Sequence, residues 1–524
     1  MNKLIKKLLV ASLVTFTGIA QAGDTTTAKT HMQPRSAAVN LAFEKATWHT
    51  QIDHKYHKED DKVGASLQAV GFYESSTNKS GLGKYFGFDN MNLLTVGAAA
   101  ATTAGRIDRR NLIHMPLSTP STSPILPYYP ASFAGGILAG NLKLEFTHNQ
   151  GGVNLFYRQA IDGLLKGLYF QASLPIVWSQ TKSKLNLSSS TSETQVANAA
   201  LVANSAAKSV ADYFSGNITQ TAGSNYQTAL QHAKITGNKS KTSIPEIPFK
   251  LGWNFWSTEK HHAGINLGVV FPTGPKGKSE FLFEPLGGGN GQHWGLGAGI
   301  DTKFTPWKHA EQSLNILLVM DYRYLFKNSE TRTLGLKDIP WSQYMLYARV
   351  GTAGVEPLAE LLTDKCNVTP GSQVDFLAGL AYNCGGFTFD LGYELYARER
   401  EKVSKKFTID ETAATGYALA ANDYDAHSVF AFTNGILKAN ADISATRSHE
   451  GAAAATTQIL NSDIDTSVAQ TPSQVTNKIY GGIGYSFNKW ETPLMLGLGG
   501  EYEFASKQKA LENWGVNAKI GISF

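Results

Sequence analysis

The stretch IDHKYHKED gathers Asp53, His54, His57 and Glu59 within seven positions. On a helix, His54 and His57 would share one face, and imidazole and carboxylate ligands at that spacing suit a divalent cation. The plainer reading is a solvated polar segment, and no metal or cofactor is assigned from it. His261-His262 sits beside turn-forming residues and reads as surface. Hydrolytic chemistry finds no support: neither G-x-S-x-G nor H-E-x-x-H occurs, so no catalytic residue is named and the chain is not read as an enzyme.

More chemistry lies in charges that recur at every second residue opposite apolar partners. Lys143, Arg158, Lys250, Lys303, Arg323, Lys327, Arg349, Arg398, Lys478 and Lys519 face Glu145, Asp301, Asp321, Asp375, Asp390, Glu394, Glu501 and Glu503 on the same polar set. Opposed cations and anions around a water-filled passage set up a transverse field that filters solutes. Asp321, Arg323, Arg349, Glu394 and Arg398 recur on successive segments in the middle of the chain and are the expected pore-lining group.

The elements that must carry these charges are extended. Strict alternation puts two sets of side chains on opposite faces of a strand. The C-terminal WGVNAKIGISF places Trp514, Val516, Ala518, Ile520, Ile522 and Phe524 on one face and Asn517, Lys519 and Ser523 on the other. The pattern recurs at 140–147, 168–179, 249–255, 294–304, 314–326, 344–350, 374–382, 387–395, 479–487 and 494–504, with weaker runs at 66–74, 152–158 and 263–271. These runs predict an all-β, transmembrane antiparallel barrel of about 14 strands (12 to 16), since tilted strands of about 9 to 11 residues cross an outer membrane. Strand-end aromatics such as Trp178, Trp253, Trp307, Trp341 and Trp490 suit interfacial girdles. A large periplasmic β-sandwich would show the same alternation with the apolar face turned inward.

Residues 1–22 carry Lys3, Lys6 and Lys7, an apolar stretch, and Ala20-Gln21-Ala22 before Gly23, which predicts a cleaved secretory signal. Removing three lysines and no acid takes the formal net charge from +5 to +2, too little to argue for nucleic acid as a partner. No later apolar run reaches the length of a spanning helix. Residues 23–63 are expected to form an N-terminal periplasmic segment and 64–524 the barrel, with long loops at 75–136, 181–243 and 401–474. Ala-rich Glu193 to Phe214 predicts a helical insert in the second of these. Strict up-and-down order then leaves a fault: 401–474 and 181–243 fall on opposite sides, so one strand between them is missed or invented. The two cysteines, Cys366 and Cys384, flank the run 374–382; a spanning strand of some 40 Å between them excludes a disulfide, and both are expected as free thiols.

A signal sequence, repeated amphipathic strands and a last strand ending in Phe524 resemble the Gram-negative outer-membrane barrels. The resemblance implies that Ile520, Ile522 and Phe524 serve as the signal read by the barrel assembly machinery, with outer-membrane lipids and small solutes as further partners and the oligomeric state open. Phe271-Pro-Thr-Gly274 followed by the glycine-rich 287–297 is similar to the hydrocarbon and fatty-acid uptake channels, although no counterpart of their hatch motif stands out near the mature N-terminus. The expectation is a diffusion channel, or porin, for small hydrophilic solutes. The alternatives are a hydrocarbon or fatty-acid uptake channel and a non-transporting structural or adhesive barrel. The polar inward face favours the first.

Overall fold

The computed structural model describes residues 28–46, 64–87, 91–93, 140–189, 214–217, 228–258, 260–337, 341–349, 356–412, 415–419, 458–487, 490, 492–505 and 510–524. The signal at 1–22, the candidate metal ligands Asp53, His54, His57 and Glu59, and nearly all of the expected helix from Glu193 lie outside the described residues.

Twelve strands close into one antiparallel ring: β1 Ala65–Ser76, β2 Gly140–Ala160, β3 Leu168–Ser189, β4 Ile247–Ser257, β5 His261–Phe271, β6 Gly295–His309, β7 Gln312–Leu325, β8 Gly371–Cys384, β9 Phe387–Arg398, β10 Gln474–Phe487, β11 Leu494–Ala505 and β12 Asn513–Ser523. Each pairs with its sequence neighbours, and β1 pairs with β12 in the register Ala69 to Ile520. Phe524 completes the seam: its N–H donates to the Ala65 carbonyl at 2.9 Å and its carbonyl accepts from the Ala65 N–H at 2.7 Å. This seam joins the first strand to the last, the closure that a barrel in lipid requires.

The ring has twelve strands, two fewer than the fourteen runs, for two physical reasons. The runs at 140–147 and 152–158 belong to one strand of 21 residues, β2, and Gln150-Gly151-Gly152 is extended backbone and not a turn. Tyr344 to Val350 is not in the wall; Leu346–Arg349 pairs with Glu356–Pro357 and Tyr417–Leu419 in a small separate sheet. This count removes the topological fault. Every long connection now leaves one end of the barrel, together with the seven-residue link 506–512, and the turns Gly385-Gly386 and Ala310-Glu311 lie at the other.

Burial is inverted relative to a soluble sandwich. Leu267 is 70% exposed, Leu391 61% and Leu498 62%, while Lys478 and Arg398 are 1% exposed and Glu394 is fully buried. A continuous apolar exterior of this extent is foreign to a water-facing surface and suits lipid. β2 and β3, at 21 and 22 residues, are about twice the length a membrane needs and project beyond the wall at the long-loop end. There the rule that apolar means outward fails: Leu144 and Phe146 face inward, because that part of β2 packs on an apolar cap. The cap includes a three-stranded sheet of Asn328–Thr333, Thr363–Thr369 and Lys402–Lys405, and its core includes Phe86, Phe146, Phe214, Phe283, Leu334, Tyr344 and Cys366.

Candidate functional site

The lumen is occupied by the chain's own N-terminal segment. Residues 28–46, which the sequence suggested as periplasmic, run down the inside of the ring. At the long-loop end, Thr30 N–H donates to Val468 O at 2.9 Å, and the Gln33 amide donates to Gly289 O at 2.6 Å. Below, Ala37–Val39 forms one 3₁₀ turn and α1, Leu41–Lys45, a short helix capped by the Asn40 side chain, which accepts from Phe43 N–H at 3.1 Å. The chain then returns at Ala65 to start β1 at the short-turn end. Ion pairs, hydrogen bonds and small apolar clusters together fix this plug. Arg35 pairs with Asp375 at 2.5 Å, with Glu394, and with Glu503 at 3.6 Å. Glu394 also accepts from the Leu41 and Ala42 N–H groups, both at 3.3 Å. Lys45 pairs with Asp301 of β6 and with Glu44 at 3.1 Å, and Lys519 of β12 donates to Ala46 O at 2.5 Å. Apolar packing adds to these: Phe43, its ring centroid 5.1 Å from that of Phe72, clusters with Val70 and Phe156, Leu41, Ala42 and Ala46 cluster with Leu317, Val319 and Leu377, and Met32 joins the cap core.

Charge assorts by side. β8 to β12 and β1 contribute Asp375, Asp390, Glu394, Glu501, Glu503 and Glu74 against Arg398, Lys478 and Lys519, whereas β2 to β7 contribute Arg158, Lys250, Lys303 and Arg323 against Asp301 and Asp321. The plug is dressed to match. Burial pulls the Arg35 charge toward neutrality, but Asp375 and Glu394 outweigh it and hold the guanidinium more firmly protonated than usual. Burial likewise pushes the Glu44 carboxyl up, and Lys45 and Lys250 overcome it to hold the group down at about 2. His31, at the top of the plug, is different: burial, aided by Arg332, lowers it to about 3, so it stays neutral at neutral pH.

Four of the five expected pore-lining residues face inward, each already engaged. Asp321 pairs with Lys250 at 2.5 Å. The Arg323 guanidinium donates to Glu246 at 2.6 Å and Gln373 at 2.7 Å. Glu394 holds the plug, and Arg398 donates to Glu401 at 2.9 Å and to Gln33 O at 3.2 Å. Arg349 is not with them. It sits exposed on the small cap sheet, donating to Thr415 O at 3.2 Å, because its run was never part of the wall. Glu145 falls on the face of β2 opposite Leu144 and Phe146, the side chain of Lys143 lies outside the described residues, and Lys327 lies just past the end of β7. Sequence reasoning missed Glu74, buried on β1, and the plug residues Arg35, Glu44 and Lys45; the plug has no alternation to betray it, and its charges look like ordinary solvated ones.

The glycine-rich segment 287–297 turns inward over the plug. Gly287, Gly288 and Gly291 adopt φ of 60°, 71° and 78°, a region costly for other residues. A β-carbon at Gly288 would stand 3.3 Å from that of Ala37 and 3.0 Å from Val177 Cγ1. Bare backbone is what lets loop and plug meet there.

One flank of the plug leaves a cavity of about 60 Å³, lined by Leu41, Phe156, Phe249, Val269 and Val270 among polar neighbours. It lies where the wall ladder lapses. β3 pairs with Asn238–Ser243 through Val177 and with β4 through Ala172, and the residues between carry no partner across the seam. Pro175, Pro245 and Pro248 border the lapse and have no N–H to give. About 10 to 15 Å³ holds one water, so this space takes a few waters and no sugar or amino acid.

The chain is a closed twelve-stranded β-barrel of outer-membrane type with an internal plug. No family model matches it, and no curated protein is similar to it in sequence. Among solved structures it is similar to the COG4313 outer membrane channel from Pseudomonas putida F1, with a TM-score of 0.35 and 10% identity over 88% of this chain and 96% of that one. It is also similar to the CymD monoaromatic hydrocarbon channel, with a TM-score of 0.27 and 10% identity over 94% and 97%. A FadL homologue of Pseudomonas aeruginosa gives 0.27 and 10% over 88% and 90%. At these values no residue role passes from those proteins to this chain.

Proposed function

We propose that this protein is an exported outer-membrane channel for small hydrophilic solutes, closed in the described state by residues 28–46 and opened when that segment moves. The observation that carries the reading is the charged inward wall, filled by a separable stretch of chain and not by side chains of the strands. A barrel built only as a scaffold has no need of six buried acids on one side of its lumen, since unpaired buried charge is costly. In this reading residues 1–22 are cleaved on export, the short turns face the periplasm, and lipid surrounds the apolar exterior. Single-channel recording in planar bilayers tests it: the wild type is expected to be mostly closed, and a variant lacking residues 28–46 to conduct steadily. A deletion variant that inserts as a folded barrel and stays silent overturns the reading. Ile520, Ile522 and Phe524 are proposed as the assembly signal; removing Phe524 is expected to lower the amount of heat-modifiable barrel in the membrane, and normal levels would refute that role.

The partly apolar cavity at the lapse between β3 and β4 favours a second reading, uptake of a hydrocarbon or fatty acid. Liposome swelling with sugars against uptake of a radiolabelled alkane separates the two: passage of the alkane without swelling in sugar would select the second.

A further inference from the structure

Arg35 carries its guanidinium into a nest of carboxylates drawn from three strands. Asp375 of β8 and Glu394 of β9 both take the same terminal nitrogen, Glu503 of β11 lies 3.6 Å from the other, and the three carboxylate side chains are 5%, 0% and 6% exposed. Tyr396 stacks below, its ring centroid 4.8 Å from Cζ. This is a guanidinium receptor built from the wall, with the planar fork and the aromatic face that a compact ammonium does not exploit.

The nest holds more carboxyl groups than an anchor needs. Glu501 and Glu74 lie alongside, both within reach of the Asn40 amide, and Lys478, 2.8 Å from Glu501, is the wall cation among these acids. Five acids thus meet two cations while the plug is seated, and one when it is not. Buried carboxylates at such spacing draw in a cation or a proton. Arg35 Nε and Nη1 carry no hydrogen bond and border a polar cavity of about 30 Å³, enough for about two waters. The site therefore has room beyond the head group it now holds.

We propose that this nest is a lumen binding site for guanidinium- or amidinium-bearing solutes, which Arg35 occupies as an internal surrogate while the plug is seated. Its part in transport rests on the channel reading; the binding itself does not. A solute of this class competes with Arg35 for the same carboxylates, so its arrival and the plug's departure are one exchange of cations, and the wall is not left uncompensated.

The test is calorimetric titration of the full-length Arg35→Ala barrel in detergent with methylguanidinium, and with tetramethylammonium as a cation of equal charge and no N–H donors. Charge-assisted hydrogen bonds lost or gained are expected to change affinity by about tenfold or more. R35A should bind methylguanidinium at least that much more tightly than wild type does and than R35A binds tetramethylammonium, and R35A/D375N should lose the same factor. Equal binding of the two cations, no gain over wild type, or no loss in R35A/D375N overturns the proposal. If R35A recovers no heat-modifiable barrel on refolding while R35K does, refolding with millimolar methylguanidinium decides: recovery supports the site and continued failure overturns it. In bilayers, binding without any conductance would sink the channel reading and leave the site standing, whereas an open R35A channel insensitive to methylguanidinium would sink the site.

Discussion

The plug and the cap both obstruct the same passage, and they are held by different mixtures of forces. The cap buries a continuous apolar cluster in which Phe86, Phe146 and Phe283 lie with ring centroids 5.0 to 5.7 Å apart. The plug also buries Leu41 and Phe43 against the wall, but adds to that packing the ion pairs of Arg35 and Lys45 and hydrogen bonds between its backbone and wall side chains. Opening the cap would hand apolar area to water at roughly 25 cal/mol per Å². Drawing out the plug exposes Leu41 and Phe43 too, but it also hands charges to water, which solvates them well, so much of the lost Coulomb attraction is returned as hydration. A closure meant to stay shut is best made apolar, and one meant to exchange is best made polar.

The sharpest break of this comparison is in the cap. Phe86→Ala should cost about 3 to 5 kcal/mol by opening a cavity in a packed aromatic cluster. It should make the long-loop segments sensitive to limited proteolysis while the barrel keeps its heat-modifiable mobility; unchanged protease resistance would show that the cap does not depend on this core. In the plug, Lys45→Met removes the lysine partner of Asp301, which retains His262 Nε2 at 3.1 Å, and breaking a buried pair costs about 3 kcal/mol. Open events in bilayer recordings should become much more frequent, and adding Asp301→Asn should reverse most of that. If the double variant is as leaky as the single, the pair is not what seats the plug.

A smaller effect follows from His31. Its buried pKa of about 3 lies below the ordinary 6.5, so between those values a withdrawn plug binds a proton that the seated one does not. The seated state is unaffected above about pH 6.5 and loses up to about 1.4 kcal/mol per pH unit as pH falls through that window. The groups facing His31 act together with it: Arg332 and Arg398 oppose its protonation and Glu401 and Glu330 favour it. Opening should therefore rise on acidification, and His31→Gln should flatten the response; an unchanged slope would assign it elsewhere. The smallest effect concerns the thiols, which are both free. Cys366 is buried in the cap, where loss of hydration pushes its thiol up to about 11, and Cys384 is half-buried at the short-turn end. A membrane-impermeant maleimide should label Cys384 first, and Cys366 should become reactive in the Phe86→Ala variant. Early labelling of Cys366 in the unaltered protein would mean that the cap opens readily, contrary to the comparison above.

The wall was legible because a barrel strand has only two faces and alternation states which is which. β12 was read to within a residue of its ends, and Asp321, Arg323, Glu394 and Arg398 were placed on the inward face from spacing alone. The errors arose where a second environment replaced lipid. Leu144 and Phe146 turn inward because the upper part of β2 borders the apolar cap, and Leu346–Arg349, equally alternating, pairs with cap strands. Period 2 reports a strand and the contrast between its faces, and carries no label for which face is wet.

The sequence by itself determined that this chain is built of long two-faced strands, one face apolar and the other charged, since those properties are local and repeat every two residues. Only the tertiary structure decided that the ring has twelve strands and that residues 28–46 fill it. The plug's place depends on Arg35 meeting Asp375, Glu394 and Glu503, and Lys45 meeting Asp301, across separations of more than 250 positions. No local periodicity encodes a contact between residues so far apart; it exists only once the wall has closed around it.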